Sequence, residues 1–467
     1  MQPFRLTLIS GTALLFLGGC ATGPTTLRQP VSLPADWKNA HNFPVAAPDR
    51  DLSRWWRRFD DPTLNRVISI ALESSPDIKT ATARVREARA NRDAAYSSLF
   101  PNLTGGASTR SSRNDTDTNG TVSSNSYSAG LDASWEVDLF GKNRSSVDTA
   151  AANLGAAGEN LYSVHAALAA EVATVYTNLR TNEARLKVLN DNIRTREETS
   201  QLAGWRLKAG EADSLEATQA ESSLETARAA LPSLQGSIAQ GKNALALLAG
   251  RAPGGLDSVL ASSRGIPVPP SSLAVGIPAD VLRQRPDVRL AGYQVLAAAS
   301  ATRSVEATRY PSLNLSGSLG LDTTTGSKLF DPEGAAASIA AGITSPIFDA
   351  GRIKANIEAA SAAEEQNVEN YRKTVLTALS ETEDALIACR RSGERLATLE
   401  KATELARDSD EVARQRYEAG EIDFLDVLDS QRTLLNLEDN LLSTRTDRTT
   451  AYIRLYQALG GGWSSGS

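Results

Sequence analysis

The sequence predicts a mixed α+β fold made of two copies of one unit, each a pair of strands set among very long helices. Three observations carry this. The chain matches itself at a shift of 210 residues. Ser75-Pro76-Asp77-Ile78 falls on Arg285-Pro286-Asp287-Val288, Phe100-Pro101 on Tyr310-Pro311, and Gly141-Lys142 on Gly351-Arg352. Glu171 falls on Glu381, Lys208-Ala209-Gly210-Glu211 on Glu418-Ala419-Gly420-Glu421, Leu215 on Leu425, and Gly250 on Gly460. Chance supplies one or two such matches, not an ordered set running without a gap. Second, Tyr127, Ala129, Leu131, Ala133, Trp135, Val137 and Leu139 alternate with Ser128, Gly130, Asp132, Ser134, Glu136 and Asp138. That period of two marks a strand with one apolar and one wet face. Third, Glu159–Ala203 and Ile353–Ser392 contain neither Gly nor Pro over 45 and 40 residues. A helix of the first length spans about 68 Å.

The units run from about 68 to 250 and from 278 to 460. The stretch 251–277 is rich in Pro, Gly and Ser and reads as a linker. Residues 20–67 form an extended N-terminal segment and 461–467 a tail. In the first unit, 62–98 reads as helix broken at Pro76, and a strand begins at Leu103. The polar stretch Arg110 to Val122 reads as an exposed loop, and the alternating strand follows, a hairpin over about 100–140. In the second unit Leu313, Leu315, Gly317, Leu319 and Leu321 share one parity, as do Ile339, Ala341, Ile343 and Ile347 on the return strand, a hairpin over about 310–349. Leu161, Val164, Leu168, Val172, Val175 and Leu179 form a heptad-like stripe, so the helices pack side by side as coiled coils. Gly210 and Gly420 mark turns between paired helices, and Pro232 should kink the second helix of the first unit.

Composition excludes several functions. The net charge of −6 provides no basic face for nucleic acid. Two Cys, two His (His41, His165) and one Met, the initiator, are too few for a Cys/His metal or catalytic site. His165 and Cys389 read as packed residues. No nucleophile with a base, Gly-rich phosphate loop or Walker motif is present, so the chain is read as neither an enzyme nor a motor, with no metal or cofactor. Leu6 to Leu17 is an apolar run after Arg5, too short to span a bilayer, and reads as a signal-peptide core over 1–19. Leu17-Gly18-Gly19-Cys20 resembles the lipobox of bacterial lipoproteins, which implies acyl chains on Cys20. Ala21 in place of Asp implies sorting to the outer membrane.

The strands set a stronger demand. A hairpin with one apolar face is marginal alone in water. Strands of about ten residues cross a bilayer when tilted, but in lipid they must close into a barrel. Four strands cannot close a membrane barrel. The strands therefore sit in a soluble sheet or are pooled between chains; two chains supply eight strands, a barrel plugged by side chains, and three supply twelve, room for a conduit.

These residues resemble the TolC-like outer-membrane efflux channels, more narrowly their lipoprotein (NodT/OprM-like) branch. Further marks are Trp55-Trp56-Arg57-Arg58-Phe59-Asp60-Asp61-Pro62, Leu99-Phe100-Pro101, Trp135-Glu136-Val137-Asp138-Leu139-Phe140-Gly141, Arg285-Pro286-Asp287, Leu428-Asp429-Ser430-Gln431 and Leu459-Gly460-Gly461-Gly462-Trp463. The resemblance covers nearly the whole mature chain. It implies a homotrimer whose twelve-stranded barrel lies in the outer membrane of a Gram-negative bacterium. A helical α-barrel continues it into the periplasm, closed at its inner tip. A periplasmic adaptor (membrane fusion) protein and an inner-membrane pump of the RND type dock there. The implied function is the passive exit duct of a tripartite drug efflux system for small toxic compounds.

By the same resemblance Arg416 and Tyr417 match constriction residues, Leu425 an apolar constriction, and Asp429 a lumen-facing gate residue. Asp423 and Asp426 join them in an acidic stretch around Gly420. The repeat mates Arg206, Leu207, Leu215 and Gln219 have partly lost this chemistry, which places the gate in one unit only. Arg416 and Asp429 offer opposite charges that could hold a ring of helices shut. Asp132, Glu136 and Asp138 fall on the wet parity and could line an acidic lumen. Trp135, Phe100 and Tyr310, at strand ends, read equally as interfacial anchors or as packing under the barrel. The alternatives are a channel for secreted protein or metal ions, a coiled-coil surface lipoprotein without a pore, and a surface lipoprotein enzyme. The mature chain lacks Met, which disfavours a soft-metal cargo.

Overall fold

The computed structural model describes residues 33–40, 52–116, 120–262, 264–270, 278–329 and 331–464. The signal segment and Cys20 lie outside these residues. The first unit comprises α1 (Pro62–Ser74), α2 (Pro76–Ser97), β1 (Asn102–Thr116), β2 (Gly120–Val137), α3 (Lys142–Ala209) and α4 (Ser214–Leu248). A short α5 (Asp257–Leu260) lies in the joining stretch. The second unit repeats the order: α6 (Pro278–Gln284), α7 (Pro286–Ala307), β3 (Ser312–Thr323), β4 (Ala335–Thr344), α8 (Arg352–Glu418) and α9 (Phe424–Ala458).

The helices start and stop where local chemistry dictates. Asp61 caps α1 by accepting from the N–H groups of Thr63 and Leu64 at 2.9 and 3.1 Å. Pro76 ends α1 and opens α2, because the ring cannot continue a helix but suits its first position. The long helices exceed the sequence expectation: α3 has 68 residues and α8 has 67, about 100 Å each. They run through Gly155, Gly158, Gly204 and Gly393, each costing roughly 1 kcal/mol relative to Ala. At Gly155 the reason is visible, since a Cβ there would lie 2.5 Å from the Tyr293 ring on α7. The span of α4 continues through Pro232.

The four strands form one antiparallel sheet in the order β1-β2-β3-β4. The repeat holds at single-residue register: Leu103 faces Ala133, and their mates Leu313 and Ile343 face each other. The two hairpins join through β2 and β3, with Leu131 opposite Leu319. One face carries Leu103, Leu131, Ala133, Leu313, Leu319, Ile339 and Ile343. Among the described residues no helix covers it: Ile339 is 93% exposed and Ile343 75%. The other face is lined by hydroxyls that bond across strands, Ser108 to Ser128 at 2.8 Å, Ser112 to Ser124 at 3.0 Å and Ser318 to Ser338 at 2.8 Å. Those bonds correct the expected loop over 110–122. Strand pairing continues to Thr116 and resumes at Gly120, because Ser/Thr-rich backbone pairs well when its side chains satisfy one another. Ile347, expected on the return strand, lies beyond the end of β4.

The main core sits midway along α3 and α8, against the C-terminal ends of α4 and α9. Trp55 stacks on Tyr456 with centroids 5.5 Å apart, beside Phe59, Leu64, Ile68, Val172, Tyr176 and Leu455. The joining stretch is strapped to this core rather than hanging loose. Buried Arg180 donates to the carbonyls of Leu260 and Ser262 at 3.0 and 2.9 Å and pairs with Glu183 at 2.6 Å. Each unit also ties down the end of its last helix, by a different side chain. Ser74 Oγ donates to the Ala249 carbonyl at 2.7 Å, and Arg285 donates to that of Ala458 at 3.0 Å. Arg285 is fixed by Asp287 and Glu381 at 2.6 and 2.7 Å. Gly250 and Gly460 make the turns with φ of 64° and 78°.

Candidate functional site

At the far ends of the four long helices one of the expected residues, Tyr417, meets partners that were not expected. Gly210 and Gly420, with φ of 78° and 74°, turn α3 into α4 and α8 into α9. Around the turns Ala203, Ala220, Tyr417, Phe424 and Val427 pack as a small separate core. Tyr417 is almost wholly buried there. Its hydroxyl donates to Glu216 Oε1, and the Arg206 guanidinium lies 4.8 Å over its ring. Arg206 also stands 3.9 Å from Glu216. Burial, then the Glu216 carboxylate, push the Tyr417 hydroxyl up to about 12. It therefore keeps its proton through the neutral range and can donate it to the Glu216 carboxylate.

The residues that meet at the tip come from both units. Arg206 and Glu216 belong to the first unit, Tyr417 to the second, and the tie spans both. Sequence reasoning missed Glu216 because its repeat mate is Asp426, and it compared mates rather than the partners that packing brings together. The signal available was Glu216 three residues after Asp213, whose side chain accepts from the Glu216 N–H at 2.9 Å and caps α4.

The other gate candidates are exposed. Arg416 pairs with Glu421 at 3.6 Å inside its own turn, and Asp429 pairs with Arg432 one turn along α9. Within the chain these two do not oppose each other, because each has a nearer partner. Leu425 is 60% exposed, as is its mate Leu215. Asp423 precedes the first residue of α9 and Asp426 lies in its first turn, where the helix N-terminus favours negative charge. Ser430 donates to buried Asp410 at 3.1 Å.

At the other end, the junction of sheet and helices is pinned by side chains. Trp135 Nε1 donates to the Leu99 carbonyl at 3.1 Å, and Phe140 stacks on Tyr310 at 4.8 Å. Glu136 accepts from Lys142 at 3.0 Å and Asp138 pairs with Arg144 at 3.1 Å. Glu136 and Asp138 thus each have a cationic partner at the start of α3. Asp132 stays exposed on the hydroxyl face between Thr104 and Ser318, with no cation paired to it among the described residues. Cys389 is buried, and burial pushes its thiol up to about 12. Among the described residues no cluster of His, Cys, Asp or Glu is arranged to hold a metal ion, and no helix is long and apolar enough to cross a membrane.

The model of the outer membrane efflux protein family matches residues 67–251 and 277–461, the two units in turn. The chain belongs to the outer membrane efflux protein family. This efflux protein is 32% identical to the solvent efflux pump outer membrane protein SrpC of Pseudomonas putida, over 97% of each chain. It is 31% identical to the pyoverdine export outer membrane protein OpmQ of Pseudomonas aeruginosa, over all of this chain and 98% of that one. Among solved structures, the outer-membrane channel OprN superposes with a TM-score of 0.88 at 32% identity, covering 95% of this chain and all of that one. The efflux protein is thus an outer-membrane conduit without catalysis.

Proposed function

We propose that three copies assemble into the exit duct of a tripartite efflux system, with twelve strands in the outer membrane and the helices as a periplasmic tube. The observation that carries it is the sheet: among the described residues its apolar face lacks a cover and its outer strands, β1 and β4, lack a neighbour on one side. Unpaired strand edges are not tolerated in lipid, so copies must close the sheet. The helix tips are the gate. The buried tie of Tyr417, Glu216 and Arg206 holds the two hairpins of a chain together, and Arg416, Leu425 and Asp429 present their charges and apolar ring toward the axis. A periplasmic adaptor and an inner-membrane pump engage this end, and the pump selects small toxic compounds as cargo. Light scattering of detergent-extracted protein should give the mass of a trimer; a monodisperse monomer refutes the assembly.

The anchor is proposed on the sequence alone. Cys20 carries the lipid, and Cys20→Ser should abolish incorporation of labelled fatty acid while trimers still form, since the strands make their own membrane contact. A wild-type protein that takes up no label removes the anchor.

A further inference from the structure

We propose that the cavity between the joining stretch and the helices α8 and α9 is a binding site for a single-chain amphipathic carboxylate. Its head is held among Arg264, Arg445 and Arg448, and its chain lies against Leu396 and Leu442. The site goes beyond the conduit and does not depend on it, because one chain supplies all of these residues. The cavity measures about 520 Å³, within the range of roughly 300–1,000 Å³ typical of small-molecule sites. Leu396 of α8 and Leu442 of α9 are buried and give it an apolar lining, to which the joining stretch adds Ile266, Pro267 and Val268. Thr449 Oγ donates to the Pro267 carbonyl at 2.7 Å, and Arg264 donates to that of Asp60 at 3.4 Å, so the stretch is held at two points.

The charge on this lining is unbalanced. Glu400 is the one carboxylate among the lining residues, and Arg445 already pairs with it at 3.2 Å. Arg445 and Arg448 are three residues apart on α9 and so share a face. Among the described residues neither Arg264 nor Arg448 has a carboxylate partner, and the Arg448 Nε is buried without a hydrogen bond. A guanidinium held in this way is costly unless an anion compensates it. Its planar fork matches a carboxylate through two parallel hydrogen bonds. The apolar lining beside the same cations selects a carboxylate with a chain over a small inorganic anion.

The repeat indicates that the fold does not need these cations. The mates of Leu396, Arg445 and Arg448 are Leu186, Gln235 and Ile238. The apolar position persists and both positive charges are gone. Glu400 and Arg445 become Asn190 and Gln235, so that pair is exchanged for amides as a unit, whereas Arg448 is replaced by an apolar side chain. The mate of Thr449 is Ala239, which has no hydroxyl to hold a strap. The site thus occurs once per chain, where the joining stretch is bonded to α9.

Binding of radiolabelled decanoate to the full-length protein in nanodiscs of zwitterionic lipid, read against empty discs, tests the site. Decanoate should bind saturably, one per chain. Arg264→Gln with Arg448→Gln should weaken it by about tenfold or more, since hydrogen bonds between charged groups are the strong ones. Glu400→Gln should tighten it severalfold, because the change removes the competing carboxylate and frees Arg445. A purely structural role for the Glu400–Arg445 pair gives the reverse. Decanol, which has the chain without the charge, and acetate, which has the charge without the chain, should both compete poorly. No saturable binding, displacement by decanol as effective as by unlabelled decanoate, or unchanged affinity in the double arginine variant overturns the site. Should that variant fail to fold, Glu400→Gln decides: unchanged or weaker binding overturns the site.

Discussion

Tyr417→Phe combined with Glu216→Gln is expected to raise the single-channel conductance of the reconstituted protein and to admit bulky antibiotics that the outer membrane excludes. The hydroxyl of Tyr417 and the carboxylate of Glu216 share a half-dry site, and hydrogen bonds to charged groups contribute roughly 1.5–3 kcal/mol each. Three copies acting together make the closed tip more stable by several kcal/mol. That is enough to move the closed-to-open ratio by a factor of about a hundred or more. Arg416→Ala with Asp429→Ala should do less. Their partners, Glu421 and Arg432, are exposed and local, and such pairs are worth about 0–1 kcal/mol. This ranking reverses the one that sequence comparison alone suggests. If the exposed pair opens the channel and the buried one does not while trimers persist, the tie does not hold the gate. The tie should also be insensitive to pH across the neutral range. A donor whose folded-state value is raised from 10 to about 12 keeps its contribution below about pH 10 and loses it as pH rises through 12.

The fold was legible in the sequence because the repeat constrains it twice. Matching Gly141 to Gly351 and Gly210 to Gly420 located helix starts and tips, and all four adopt positive φ in the structure. Alternation found β2 because its two parities differ in polarity. It failed over 110–122, where both faces are polar and pairing is held by hydroxyls. Helix length was underestimated because Gly was read as a stop, while Gly155 is retained for contact with Tyr293. The site was only half legible. Tyr417 and Leu425 stand out beside Gly420, but Glu216 is one acid among many until packing sets it against Tyr417. A charge offset such as Glu136 with Lys142 likewise depends on where a helix begins relative to a strand.

Ile339→Arg is expected to abolish assembly in the membrane, whereas Ala340→Arg is expected to be tolerated. The two residues are neighbours at the middle of β4 and both are exposed, so neither disturbs a packed core of the isolated chain. Their faces differ. Ile339 stands opposite Gly317 on the face shared with Ala133 and Leu103, while Ala340 stands opposite Ser316, itself opposite Ser134, on the hydroxyl face. An arginine on the lipid side of a barrel costs about 2–4 kcal/mol at the midplane, and threefold assembly multiplies that cost. An arginine on the lumen side meets water. Heat-resistant trimers on gels of membrane fractions should vanish for Ile339→Arg and persist for Ala340→Arg, whose added positive ring should lower cation preference in a salt gradient. If the outcomes are exchanged, the apolar face is the inner one and the sheet closes with the opposite curvature. If both variants assemble, this sheet does not contact lipid.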